Sequence, residues 1–150
     1  MAKEAANLSS IIAEAETACK ALYELIGRMH NVSIDMQLLS RDLDDIHTVT
    51  GTLHAYLNDN DFVESVVWAA LSGRLAEVVT SSLSIFEDIR TRVKDIDSYE
   101  NGDLKTIVRD GKEPSRPGLG KDEVDGLRKC LTSHKITMNI AISMASLYVV

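Results

Sequence analysis

Cysteine, histidine and carboxylate side chains are the groups in this 150-residue chain best able to do chemistry. Cys130 and His134 are four apart, so on a helix they share a face, as half of a zinc site would. Asp44 and His47 are three apart, and His47 and His54 are two helical turns apart. A di-iron bundle needs a Glu-x-x-His on each of two facing helices, and here one Asp-x-x-His stands without a copy. Structural zinc needs four ligands in paired spacing, which is absent. The expected arrangement is therefore structural. His47 and His54 flank a buried seam, and His134 is part-buried and hydrogen-bonded. The run from Ser115 to Asp122 (SRPGLGKD) has the outline of a phosphate loop but fails in detail. Ser115 stands where the first glycine belongs. Asp122 stands where a Ser or Thr hydroxyl would meet the metal, and its carboxylate repels phosphate. No strand pattern precedes the run. No Ser–His–Asp or Cys–His set assembles, and the remaining carboxylates fall on outward faces. The residues thus predict no catalytic group, no metal and no cofactor: the chain is not read as an enzyme.

The totals agree with a packing rather than a chemical role. The chain is 45% hydrophobic and 26% charged, ordinary for one globular domain covering residues 1–150. Aromatic residues are only 5%, so aliphatic side chains must fill the core. The net charge of −7 argues against nucleic acid as a partner and gives no attraction to an anionic membrane. Cys19 and Cys130 stand apart in helical patterns and predict two buried, reduced thiols in a reducing compartment. The N-terminus lacks a secretory pattern, because Glu14 and Glu16 interrupt its apolar run. No segment has the length of continuous apolar sequence that spans a bilayer. The close on Tyr148-Val149-Val150 reads as a stop in mid-pattern, as in a piece of a longer protein.

The elements that must position these residues are helices. From Val32 to Leu57, apolar residues fall at Val32, Met36, Leu39, Leu43, Ile46, Val49, Leu53 and Leu57, in steps of three and four. A first helix starts near Asn7 or Ser9 and runs to about Met29, with Leu8, Ile11, Ile12, Ala15, Ala18, Cys19, Leu22 and Ile26 on its stripe. Asn31 or Ser33 caps the second helix. A third begins near Phe62 and reaches Asp97, with Val63, Val66, Val67, Ala70, Leu71, Leu75, Val78 and Val79 and then Ile85, Ile89, Val93 and Ile96 on its stripe, a bend expected at Gly73 or Thr80-Ser81-Ser82, and Trp68 as a core anchor. Residues 98–123 hold four glycines, both prolines and dense charge, and read as a mobile loop with one helical turn around Leu104 to Arg109. The last helix starts at Lys121-Asp122-Glu123 and continues through Val124, Leu127, Leu131, His134, Met138, Ala141, Ile142 and Ala145. The fold class is all-α: an antiparallel four-helix bundle with a long charged Gly/Pro loop before the last helix.

Order and pattern resemble one family. Leu8-Ser-Ser-Ile-Ile-Ala13 leads into Ala18-Cys-Lys-Ala-Leu-Tyr-Glu-Leu25. The stretch Asp35 to Leu53 is similar to the family's second helix, and Leu127 to Ile142 to its last. Over nearly its whole length the chain resembles the HeLo-like domains at the front of fungal NOD-like (STAND) receptors. The resemblance implies a cytoplasmic signalling or effector domain followed by a nucleotide-binding sensor domain. It implies homo-oligomerisation and a membrane-directed role in programmed cell death, with a plasma-membrane-associated active state. Carried onto this sequence, Leu8, Ile11 and Ile12 become the membrane and oligomer contacts. Glu14 and Glu16 depart from the family's more apolar first helix. A non-lytic adaptor or dimerisation module that docks a partner protein is the alternative.

Overall fold

The computed structural model describes the backbone of residues 2–29, 32–58, 63–100 and 119–147, and side chains for all of these except 2–6 and 96–100. Four helices make up the described fold: α1 (Ala2–Arg28), α2 (Ile34–Tyr56), α3 (Val66–Glu100) and α4 (Lys121–Ser146). The chain is all-helical in these residues, as the three–four spacing predicts. The packed pairs are α1 with α2, α1 with α3, α2 with α4 and α3 with α4. Consecutive helices α2 and α3 therefore lie across a diagonal, as do α1 and α4.

Each helix turns one stripe inward. In α1 the buried residues are Leu8, Ile12, Ala15, Cys19, Leu22 and Ile26, alternating steps of four and three. In α2 they are Met36, Leu39, Leu43, Ile46, Thr50 and Leu53, with Leu57 just beyond. The seam of α3 runs through Trp68, Leu75, Val78, Val79, Ser82, Phe86, Ile89 and Val93. That of α4 runs through Val124, Leu131, Met138, Ala141 and Ala145, with Leu127 and His134 half-buried at the intervening positions. A 3.5-residue repeat keeps a seam on one side of a helix over several turns, which lets these four stripes share one core. Trp68 is fully buried, the core anchor expected of it, whereas Val66 and Ala70, expected on the α3 stripe, are exposed because the helix turns Trp68 inward in their place.

Local chemistry sets the helix ends. Ser33 has an extended backbone and accepts from the Met36 N–H, the expected cap of α2, and Asp35 sits in the first turn where the dipole favours a carboxylate. Ser65 accepts from the Trp68 N–H in the same way at the start of α3. That start is later than expected, because Ser65 offers the cap, whereas Phe62 lies outside the described residues. Gly120 begins α4 without a side-chain cap, and Asp122 and Glu123 follow in its first turn.

Several expectations are corrected. Helix α1 begins at Ala2 rather than near Asn7. Helix α3 is continuous through Gly73 and residues 80–82, and the Ser82 hydroxyl donates back to the Val78 carbonyl at 2.8 Å. Residues 98–100, expected at the start of the loop, are helical in backbone, while the last helix starts at Lys121 as expected; the turn expected at Leu104 to Arg109 lies outside the described residues. Cys130 is exposed rather than buried. Thr50, not Val49, occupies the centre of the α2 seam, with Val49 half-buried beside it. The step from Ile46 to Leu53 can be divided either way, and only packing chooses.

Candidate functional site

Three places in the bundle gather polar or apolar groups in ways that could act. The first lies where α1 meets α2. The Glu16 carboxylate is 3.9 Å from His47 Nε2 and 3.5 Å from His54 Nδ1. Two histidines one heptad apart on α2 can bracket one carboxylate because Gly51 lies between them. A Cβ on Gly51 would stand 3.2 Å from Glu16 Oε1, so the missing side chain is what leaves room for the carboxylate. The Tyr23 ring meets His47 edge-on at 5.6 Å. Just inside, the Cys19 thiol donates to the Leu43 carbonyl at 3.0 Å. Burial, with Asp44 nearby, pushes that thiol up to about 12, so it stays protonated and unreactive. The expectation that His47 and His54 flank the seam agrees with their half-buried positions. Their meeting on Glu16 was not legible, because nothing in the sequence sets the register of α1 against α2.

The second place joins α3 to α4. Ser82 Oγ lies 2.8 Å from His134 Nδ1 and 2.8 Å from the Val78 carbonyl. A serine hydroxyl has one proton, and a carbonyl can only accept. Both contacts are satisfied when Ser82 donates to Val78 and His134 donates its Nδ1–H to Ser82. In that arrangement the imidazole holds a proton toward the serine, and the contact ties α3 to α4. Burial lowers the His134 pKa below the usual imidazole value, and the Arg74 guanidinium adds to this. His134 is thus part-buried and hydrogen-bonded, as its place in the four–three rhythm predicts. Cys130 points to solvent while His134 faces α3, so the half zinc site suggested by their spacing is not assembled. Among the described residues no three His, Cys, Asp or Glu side chains form a group that could hold a metal ion. Ion pairs tie the rims: Arg128 Nε to Asp42 at 2.7 Å between α4 and α2, and Arg92 to Glu123 between α3 and α4.

The third place is a surface. On the outer side of α4, Ile136 is 54% exposed, Ile140 50%, Met144 39% and Leu147 75%. Their spacing of four, four and three puts them on one stripe opposite the core seam. No Asp, Glu, Lys or Arg occurs from Ile136 to Leu147. Sequence reasoning placed Met138, Ala141, Ile142 and Ala145 of this stretch on the inward seam and left Ile136, Ile140, Met144 and Leu147 without a place. The signal was present, since the run has too many apolar residues for a single inward seam.

Leu8, Ile11 and Ile12 lie elsewhere. Leu8 and Ile12 are in the core at 3% and 0% exposure, and Ile11 is half-buried against it. They share a stripe, and none of the three is free at the surface. Among the described residues no helix is long and apolar enough to cross a membrane.

Among the described residues, the fold and these sites make an all-helical bundle with an apolar core, polar ties across its helix pairs and an uncovered apolar face on α4. Compared with protein-family models, curated proteins and solved structures, the chain matches none.

Proposed function

We propose that this chain is a signalling module that works by association rather than by chemistry, as its resemblance to the HeLo-like domains implies. It is built as an antiparallel four-helix bundle with a charged Gly/Pro loop before α4. The observation that supports this reading is the α4 stripe: a bundle whose own core is filled carries four large apolar side chains on one outer helix face. Such a face, in a chain of net charge −7, is what a protein that docks onto another surface needs. An attached sensor domain in a longer cytoplasmic chain would supply the clustering.

A membrane-directed step would use Leu8, Ile11 and Ile12 after α1 leaves the bundle. Burial of Leu8, Ile12, Leu22 and Ile26 stabilises the docked helix by on the order of 10 kcal/mol, counted at roughly 1.5–3 kcal/mol per large side chain. That is comparable with the whole net stability of a domain of this size. Release of α1 is therefore a second step that clustering must drive, by favouring the exposed state.

Dye leakage from anionic liposomes tests the reading, comparing the chain alone with the chain fused to a forced oligomeriser. The effector reading predicts leakage from the clustered form only, abolished by Ile11→Asp in a protein that still folds. A folded, clustered chain that leaks no dye would assign it to the non-lytic adaptor class.

A further inference from the structure

We infer that the uncovered face of α4 pairs with the same face of a second copy of this chain, antiparallel, about a two-fold axis at Ile140. The geometry of the stripe is self-complementary. With Ile140 on the axis, Ile136 of each copy lies opposite Met144 of the other, and Leu147 lies opposite Ser133. An isologous contact of this kind closes on itself as a dimer. The neighbours on this side of the helix, Ser133, Thr137 and Ser143, are small and uncharged, so two helices can approach closely.

Charge selects the copy and the direction. The net −7 of the chain has no share between Ile136 and Leu147, so self-pairing here sets no like charges face to face. A parallel pair would stack Lys129 on Lys129 and Asp122 on Asp122 along the same stripe. An antiparallel pair about Ile140 instead carries Lys129 and Asp122 of each copy past Ser146, the last residue of the other copy's α4, so neither is stacked on its like.

Area sets the strength. At these exposures the four side chains offer on the order of 400 Å² per copy, about half of a standard stable interface. The isolated chain is then a weak dimer that forms at high local concentration, as when a fused domain clusters it. The inference deepens the association reading and rests on it for its biological sense, but its geometry is tested without reference to leakage or to α1.

Sedimentation equilibrium of the whole 150-residue chain is the experiment, at about 10 µM and about 1 mM, the range a half-sized interface predicts. The apparent mass should rise from the 16.5 kDa monomer toward twice that value at the higher concentration. Ile140→Asp, which touches no core position, should hold the mass at the monomer with an unchanged circular dichroism spectrum. For register, single cysteines are placed in a Cys130→Ser background and oxidised. Ile136→Cys alone should not cross-link, whereas Ile136→Cys mixed with Met144→Cys should, and Ile140→Cys should cross-link to itself. A chain that stays monomeric at 1 mM, a dimer that survives Ile140→Asp, or an Ile136→Cys chain that cross-links to itself would overturn the proposal. So would a monomer whose α4 face binds neutral vesicles, which would make lipid the occupant.

Discussion

Helices α1 and α4 both carry large apolar side chains and dispose them in opposite ways. In α1 the large side chains Leu8, Ile12, Leu22 and Ile26 go inward, and Glu14, Lys20, Glu24 and Arg28 go out. In the second half of α4 the inward positions are Met138, Ala141 and Ala145, while Ile136, Ile140, Met144 and Leu147 go out. Small inward residues let α4 lie close to its neighbours. The large outward ones add nothing to the core of one copy. An apolar helix can thus be spent on the fold, as α1 is, or held on the surface, as α4 partly is. The surface that looks available for function is the one that stability does not use.

Stability measurements can break this contrast. Ile12→Ala removes a fully buried side chain from the middle of the α1 seam, and urea unfolding should register a loss of about 2–5 kcal/mol. If the loss were under about 1 kcal/mol, α1 would be loosely held and the cost of releasing it overstated. At the rim between α2 and α4, Arg128→Ala leaves Asp42 part-buried without its partner. The pair is partly exposed, so the expected cost is about 1 kcal/mol, and added salt should reduce it.

The α3–α4 tie adds a pH dependence whose sign is set. The His134 pKa is lowered in the folded bundle, so the unfolded chain takes up its proton first as pH falls below about 6.5. Stability from this group is present in full above that value and is lost on acidification through the lower folded pKa. His134→Leu should flatten that part of a stability–pH curve, because Ser82 keeps its bond to the Val78 carbonyl. An unaltered slope would remove the tie from the account. The smallest effect is expected on the outer face of α4. Ile140→Ser should change monomer stability by no more than about 0.5 kcal/mol, measured at low protein concentration. A larger loss would mean that the stripe supports the bundle itself.

The two cysteines sharpen the same distinction between helix faces. Cys130 should react with a thiol reagent in the native protein, and Cys19 only on unfolding. Spacing alone cannot separate them. Cys130 is adjacent to the seam residue Leu131, and a one-residue step on a helix is a 100° turn, enough to move a side chain from core to solvent.

The three–four rhythm by itself determined that the chain is helical and where the inward stripes of α1 and most of α2 run, and residue type narrowed the cap of α2 to Asn31 or Ser33. These follow from the period of the backbone and from local hydrogen bonding, which need no partner helix. It also placed His134 at a part-buried, hydrogen-bonded position, whereas Trp68 lay off the expected α3 stripe and its size alone suggested the core. Phe86 escaped notice because Ile85 beside it fitted an apolar pattern equally well, and Val49 displaced Thr50 for the same reason. Tertiary structure alone decided that Glu16 meets His47 and His54, that Ser82 meets His134, and that Ile136, Ile140, Met144 and Leu147 are left outside. Each of these depends on how one helix is rotated and slid against the next. That choice is made by the shape of the whole core, since several rotations satisfy the pattern of any single helix and only one fills the space between four.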